Sequence, residues 1–317
     1  MANEIIIKAE HVRKIYGETV AVKDISLEIM KGEIFGIVGP NGAGKTTFIE
    51  CMEGIRKPDG GSIQVMEMNP INDHYSLSNF IGIQFQESEL QPHIKVWEAV
   101  DLYAAFYPKR VDINSLLEQL GMTDQKNKAF AKLSGGQKQR LFAALALVND
   151  PDIVFLDELT TGLDPHARHA AWDVIRAIRD RGKTVFLTTH FMEEAEKLCD
   201  RLAIIDQGRL IALDTPKNLI KNLDAENKIT FTVTENFPVS VLENVKILSG
   251  ITRVETKGQT VIVYGKGSEL LTGVINCLNT NKLKFSDLNL TNSNLEDVFL
   301  TLTGKEMRDY EIKGGLT

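Results

Sequence analysis

The chain predicts an α/β domain built on a mostly parallel sheet, followed by a second, small α+β domain. Three observations lead there. Continuous apolar strands at Glu33 to Val38, Ile153 to Leu156 and Thr184 to Thr188 are each followed by a helix-forming stretch. A glycine-rich turn, Gly39 to Gly44, separates the first of these strands from a helix at Lys45 to about Ile55. After Thr215-Pro216 the texture changes to alternating, half-buried strands.

The elements follow in order. Ile5 to Lys8 and Val20 to Ile29 have the β-branched, alternating look of antiparallel strands. Lys57 to Gly61 is turn chemistry. Amphipathic helices are expected over Val96 to Tyr107 and Ile113 to Leu120, and a glycine pair opens another over Gly136 to Val148. Helices at Pro165 to Arg181 and Glu193 to Cys199 flank the Thr184 strand. Leu202 to Asp206 and Arg209 to Ala212 form a hairpin turned by Gln207-Gly208. In the second domain, Lys228 to Val233, Thr260 to Tyr264 and Phe285 to Leu290 read as strands. Glu269 to Leu278 and Leu295 to Leu302 read as helices.

Composition narrows the function classes. At 317 residues the chain has room for one large or two modest domains, and its 43% hydrophobic content supports a sizeable core. A net charge of −7 argues against nucleic-acid binding, which needs a basic footprint. Cys51, Cys199 and Cys277 are far apart, form no CxxC pair, and are expected to be small buried hydrophobes in a reducing compartment. Met1 to Glu10 lacks the pattern of a secretory signal, and the longest apolar stretch, Leu141 to Val148, is too short to cross a bilayer. A membrane role is therefore expected to come through a partner.

Gly39-Pro40-Asn41-Gly42-Ala43-Gly44-Lys45-Thr46 matches the phosphate loop GxxxxGK[ST] between a strand and a helix. The glycines let backbone N–H groups face phosphate oxygens, and the helix N-terminus adds its dipole. Lys45 suits the β- and γ-phosphates, and the Thr46 hydroxyl suits Mg²⁺. Asp152 to Glu158 is an apolar strand ending in two carboxylates. By itself it would read as a strand and a solvated acidic turn. With the phosphate loop upstream, Asp157 suits the Mg²⁺ shell and Glu158 suits the polarisation of an attacking water.

Leu133-Ser134-Gly135-Gly136-Gln137 is the most specific motif, arising by composition in on the order of a few chains in ten thousand. On these residues the chain resembles the nucleotide-binding subunits of ABC transporters, whose signature is LSGGQ. The resemblance covers residues 1 to about 215 densely, and Asn294 to Gly304 resembles the closing segment of bacterial exporter ATPases. With Thr189 to Glu196 it points to the branch that serves drug, antibiotic, ion or lipid exporters.

The resemblance implies a P-loop NTPase (ABC ATPase) domain over 1–215. It would carry an antiparallel β subdomain and a helical insertion at about 87–148, with an accessory α+β domain over 216–317. It places ATP and Mg²⁺ as cofactors, with Tyr16 stacking on adenine. The phosphates would be held by Gly39, Pro40, Asn41, Gly42, Ala43, Gly44, Lys45, Thr46 and Thr47. Ser134, Gly135, Gly136 and Gln137 of one protomer would close on ATP held by the other, with Asp164 of Gly162-Leu163-Asp164 crossing between them. Gln86 matches the glutamine that contacts Mg²⁺ and senses the permease. Gln84 competes for that role, but the downstream Leu90-Gln91-Pro92 and Val96-Trp97-Glu98 set the register on Gln86. His190 matches the switch histidine at the γ-phosphate. Metal ligands would then be Thr46, Gln86 and Asp157, and the catalytic set Lys45, Gln86, Glu158 and His190. Leu159 stands where the family commonly has proline.

The expected partners are a separate transmembrane permease and a second nucleotide-binding subunit, identical or different. The expected place is the cytoplasmic face of the membrane. A soluble ABC ATPase acting on ribosomes or DNA is the rival. Ribosome-acting relatives normally fuse two cassettes and DNA-repair relatives carry long coiled coils, whereas this chain has one phosphate loop, one signature and no coiled coil.

Overall fold

The computed structural model describes residues 4–85, 89–223, 226–233, 238–267, 269–291 and 293–304. Gln86 and Glu87 lie outside the described residues, as does the chain after Gly304. The chain divides into two compact units, Met1–Pro216 with Leu302–Thr317, and Lys217–Thr301.

The first unit opens with β1 (Ile5–Tyr16), β2 (Thr19–Met30) and β3 (Ile34–Val38), then α1 (Lys45–Met52), β4 (Gly60–Val65), α2 (His74–Leu77) and β5 (Ile81–Gln84). Between β5 and the next strand, the described residues form turns and helices: α3 (Val96–Ala104), α4 (Ile113–Gln119), two short 3-10 turns and α5 (Gly135–Leu145). There follow β6 (Ile153–Asp157), α6 (Pro165–Asp180), β7 (Thr184–Thr189), α7 (Met192–Leu198), β8 (Arg201–Asp206) and β9 (Arg209–Asp214), and α8 (Pro216–Asn222) then lies almost wholly in the second unit. The nine strands form one sheet in the order β4-β1-β2-β9-β8-β3-β7-β6-β5.

Its core is parallel, as continuous apolar runs require: β3 pairs with β8 and β7, β6 with β7, and β5 with β6. All five residues of β3 and of β6 are buried. Phe186 fills the centre, with its ring 6.0 Å from that of Phe35 and 5.6 Å from that of Phe155. Burying one such side chain contributes about 1.5–3 kcal/mol. The other end of the sheet is antiparallel, through β1–β2, β1–β4 and β8–β9.

Several elements differ from expectation. β1 runs on from Lys8 to Tyr16, because register shifts at Ala9 to Val12, with His11 at φ 50°, break the alternation without ending the strand. The turn chemistry at Lys57 to Gly61 conceals the start of β4. There Gly61, at φ 80°, lies so close to the β1 backbone that a Cβ would meet Glu10 O at 2.3 Å. Cys51 and Cys199 are buried as expected, whereas Cys277 is only half-buried.

The second unit contains β10 (Asn227–Val233), α9 (Val239–Lys246), β11 (Ile251–Lys257), β12 (Thr260–Gly265), α10 (Leu270–Thr280) and β13 (Phe285–Thr291). Most of α11 (Leu295–Thr303) also falls here. The βαββαβ order and the antiparallel sheet β11-β12-β10-β13 are the ferredoxin-like arrangement. Ile229, Phe231 and Val233 alternate onto one face and pack with Val241, Val245, Val274 and Leu278 from the two helices.

The packing against β3 has a measurable consequence. A Cβ on Gly36 would come within 2.4 Å of the Cys199 sulfur, which is buried beside it. Gly36→Ala should lower the unfolding free energy in urea by about 1–3 kcal/mol through overpacking. Adding Cys199→Ala should recover much of that loss, because the clash is with Sγ while Cβ lies at 3.5 Å.

Candidate functional site

The register of the parallel strands assembles the site. Val38 pairs with Thr189, Asp157 with Thr188, and Gln84 with Leu156. The residues that leave the sheet at the same edge are therefore the phosphate loop, His190, Glu158 and Phe85. Open α/β sheets bind ligands at this carboxyl edge.

The loop after β3 runs into α1, whose N-cap Gly44 has φ 98°, a left-handed geometry open to glycine. A Cβ there would also meet Ala21 O at 2.3 Å, so no other residue fits. Lys45 is only 4% exposed. Its ammonium donates to Gly39 O at 2.9 Å and Pro40 O at 3.2 Å, and lies 3.6 Å from Glu158 Oε1. Burial pulls its pKa below the usual lysine value, and the negative charges of Glu158 and Asp157 pull the other way. The loop faces a cleft of about 390 Å³ lined by Tyr16, Ala21, residues 41–47 and Glu158. Tyr16 stands 38% exposed at the rim, with Lys14 and Arg56 cations 5.5 and 5.4 Å from its ring centre.

Asp157 ends β6 and is buried. Burial raises its pKa, and hydrogen bonds from Thr188 and Thr46 oppose the rise. The Thr46 hydroxyl is thus a near neighbour of the Asp157 carboxylate. Glu158 follows at φ 50°, uncommon for a residue with a side chain and concentrated at functional sites. Its N–H donates to Thr188 Oγ1 at 3.1 Å, and a turn closes from Thr161 N–H to Glu158 O at 3.1 Å. Leu159, unlike a proline, puts no restriction on the backbone of the residue before it. Glu158 Oε1 lies 3.5 Å from His190 Nδ1, and Oε2 accepts from the Thr161 hydroxyl at 3.3 Å. Burial alone would raise the Glu158 carboxyl, but His190, Lys45 and Thr161 outweigh it and hold the pKa below the ordinary value. It is a carboxylate at neutral pH.

The signature is elsewhere. Ser134 caps α5, its hydroxyl accepting from Gln137 N–H at 3.4 Å while Gln137 Oε1 accepts from Ser134 N–H at 3.1 Å. Asp164 caps α6 by accepting from Ala167 N–H at 2.9 Å, ahead of Pro165 at the first helical position. Neither Ser134 to Gln137 nor Asp164 lines the cleft at the phosphate loop. Gln84 is buried, donates to Phe85 O at 2.6 Å, and its Oε1 has no hydrogen-bond partner among the described residues.

Sequence reasoning missed three residues. Thr188 hydrogen-bonds both Asp157 and the Glu158 backbone, and Thr161 holds the Glu158 carboxylate. Three threonines in the buried run Thr184 to Thr189 were the only signal for the first. Glu53, at the end of α1, is 2% exposed, and burial, with Asp157 and Glu50 adding, pushes its carboxyl up to about 8. It is mostly neutral at pH 7, which spares Asp157 a further negative neighbour.

The charge balance at Glu158 gives a signed prediction. A cation beside a carboxylate favours its ionised form, so Lys45→Met should raise the Glu158 pKa. Carboxyl ¹³C chemical shifts through a pH titration of wild type and variant would show an upward displacement. No displacement would mean that Lys45 does not set the charge of Glu158.

The chain is similar to known proteins in sequence and in fold. The family model described as ABC transporter matches residues 22–161. "Nod factor export ATP-binding protein I" of Ralstonia nicotianae is 37% identical over 313 residues, covering 96% of this chain and 95% of its own. The protein of the same name from Rhizobium johnstonii is 40% identical over 304 residues, covering 93% and 94%. Among solved structures, cbiO1 from Clostridium perfringens, part of the ABC transporter complex cbiONQ, is 29% identical with a TM-score of 0.62. It covers 70% of this chain and 95% of its own. A dimeric ATP-binding cassette in a post-hydrolysis state bound to ADP and Pi is 28% identical with a TM-score of 0.60, covering 66% and 98%. With relatives this similar across nearly its whole length, the chain belongs to the family of ABC transporter ATP-binding proteins.

Proposed function

We propose that this ATP-hydrolysing subunit is the motor of an exporter. It would bind MgATP at a head-to-tail dimer interface and drive a separate membrane permease. The observation that carries the chemistry is the cluster of buried Lys45 and Glu158 with half-buried His190 at the phosphate-loop cleft. Export is supported by relatives whose names describe export ATP-binding proteins and which match this chain over nearly its whole length.

Mg²⁺ fits the donor set. Thr46 and Asp157 supply a hydroxyl and a carboxylate near one another, the hard oxygen ligands that this ion takes. Gln86 is proposed as a further ligand from its place in the sequence. When bound, the ion neutralises charge on the phosphates.

The protein's own groups do the rest. Phosphate oxygens compete with Glu158 for the Lys45 ammonium. As Lys45 turns to them, Glu158 loses a stabilising cation and becomes a stronger base, able to accept a proton from the attacking water. His190, 3.5 Å from Glu158, is placed to donate to the γ-phosphate as charge develops there. The loop amides and the α1 N-terminus hold the remaining phosphates. Tyr16 at the rim offers its ring to the base. Ser134 and Gly136, at the N-terminus of α5 and away from this chain's own cleft, would complete a second protomer's site, with Asp164 between the two.

A permease needs a docking surface. Among the described residues, exposed large apolar side chains concentrate in one stretch: Tyr75, Phe80, Phe85, Leu102, Tyr103 and Phe106, the last 76% exposed. Phe85 adjoins Gln86, the expected permease sensor. No helix among the described residues is long and apolar enough to cross a membrane. The proposed place is the cytoplasmic membrane face, through the permease, on the strength of the family and not of that absence.

Two measurements test this. Glu158→Gln should keep ATP affinity within a few-fold while steady-state phosphate release falls about a hundredfold or more; near-normal turnover would remove Glu158 from the base role. Phe106→Asp should abolish co-purification with the permease while basal ATP hydrolysis by the isolated chain stays near wild type. Undiminished co-purification would move the docking surface elsewhere.

A further inference from the structure

Glu194, on α7, lies four residues beyond the switch histidine and has no part in the chemistry above. It is 3% exposed, among the most buried carboxylates of the chain. Its Oε2 accepts from the Thr160 hydroxyl at 3.1 Å, and its Oε1 accepts from Trp172 Nε1–H at 2.9 Å. The Thr189 hydroxyl lies near enough to favour the ionised form of the carboxylate. Thr160 and Thr189 are both 1% exposed.

These three neighbours belong to three separate parts of the site. Thr160 lies two residues after Glu158, inside the turn that holds that residue at φ 50°. Thr189 precedes His190, and its hydroxyl also accepts from Phe191 N–H at 3.0 Å, which fixes the chain on either side of the histidine. Trp172 is in α6. That helix supports α5 closely enough that a Cβ on Gly136 would meet Ala167 Cβ at 3.0 Å. A second arm reaches the same place: the Arg168 guanidinium stacks 4.2 Å over Phe191, whose ring lies 4.1 Å from that of His190. The positive charge of Arg168 also favours the ionised form of Glu194.

We propose that Glu194 is a positioning residue for hydrolysis. Its carboxylate ties the turn behind Glu158 to the strand end carrying His190 and, through Trp172 and α6, to the helix bearing the signature. A carboxylate suits this node because every partner donates. A carboxylate accepts at both oxygens, whereas a glutamine must turn an NH₂ toward one of them. Trp172 Nε1–H cannot accept, so the glutamine oxygen would stay on Trp172 and its NH₂ would face Thr160, whose hydroxyl can reverse. The Trp172 link survives that change, and the Thr160 link is weakened. The proposal rests on the assignment of Glu158 and His190 to hydrolysis, since it concerns how those two are held together.

The test uses the full chain and three variants. Misplacing a reacting group by about 1 Å costs on the order of a hundredfold. Glu194→Leu fills the space without accepting a hydrogen bond and should lower kcat by about that factor, with KM for ATP within about threefold. Glu194→Gln should fall between Leu and wild type. Thr160→Val, which removes a single hydroxyl, should lower kcat about tenfold and decides the matter if either Glu194 variant fails to fold. The pair Glu194→Gln and Thr160→Val should be strongly non-additive in kcat, because both act on one contact. Folded Leu and Val variants with wild-type kcat, or a fall in melting temperature with kcat intact at low temperature, would leave Glu194 a packing residue and overturn the proposal. Wild-type protein that fails to hydrolyse MgATP would instead overturn the functional assignment, and the two failures are distinguishable.

Discussion

A positive charge held almost out of water organises this molecule. Lys45 lies at the start of α1 with its ammonium among backbone carbonyls, where burial works against its ionised form. An uncompensated buried charge is costly, and the surroundings answer that cost with loop carbonyls, Glu158 nearby and Asp157 behind. The same neighbours are then forced together. Glu158 is ionised because Lys45 and His190 are present, and Asp157 is partly relieved by Thr188, Thr46 and a largely neutral Glu53. A polyanionic ligand fits this balance, since it supplies the negative charge that the lysine shares with Glu158.

Strand order makes the arrangement possible. In a parallel sheet neighbouring strands end at the same edge, and β3, β7 and β6 are immediate neighbours. The phosphate loop, His190 and the Asp157–Glu158 pair are 100 or more residues apart in part, yet the register sets them within one ion-pair distance. The strands themselves are fully buried and apolar, so all polar chemistry is displaced to their ends. The antiparallel end of the sheet contributes differently. It presents Tyr16 and Ala21 to the cleft, and Ala21 O approaches Gly44 so closely that the loop backbone there can only be glycine.

How much of this was legible in the sequence depended on how local each feature is. The phosphate loop was readable because its chemistry is complete within eight consecutive residues, and the signature because its five residues, Leu133 to Gln137, are consecutive too. Glu158 and His190 are individually ordinary residues and became legible only through their order along the chain. Thr188 and Thr161 were not legible. A threonine in a buried strand reads as β-branched filler, and whether its hydroxyl is used depends on which strand lies beside it. Glu53 likewise looks like a solvated helix end until β6 packs near it. Three strands escaped notice: β4 and β11 are glycine-led or largely polar and exposed, so their pairing is dictated by a neighbour, and β5 is only four residues long, too short to show a period.

The motif residues also have local folding roles, and this bears on how the site is built. Ser134 and Asp164 each satisfy N–H groups at the start of a helix. Those helices, α5 and α6, pack through Gly136 and Ala167 at a distance that only small residues permit. α6 in turn is pinned by Trp172 to Glu194, and Glu194 to the turn behind Glu158 and the strand end before His190. A displacement of the signature helix would therefore be felt at both groups through rigid, buried contacts. The cleft at the phosphate loop and the helix that bears the signature are separate in space, but they share one buried frame. Under the proposed head-to-tail pairing, that frame is a physical route from one protomer's signature to the geometry of Glu158 and His190.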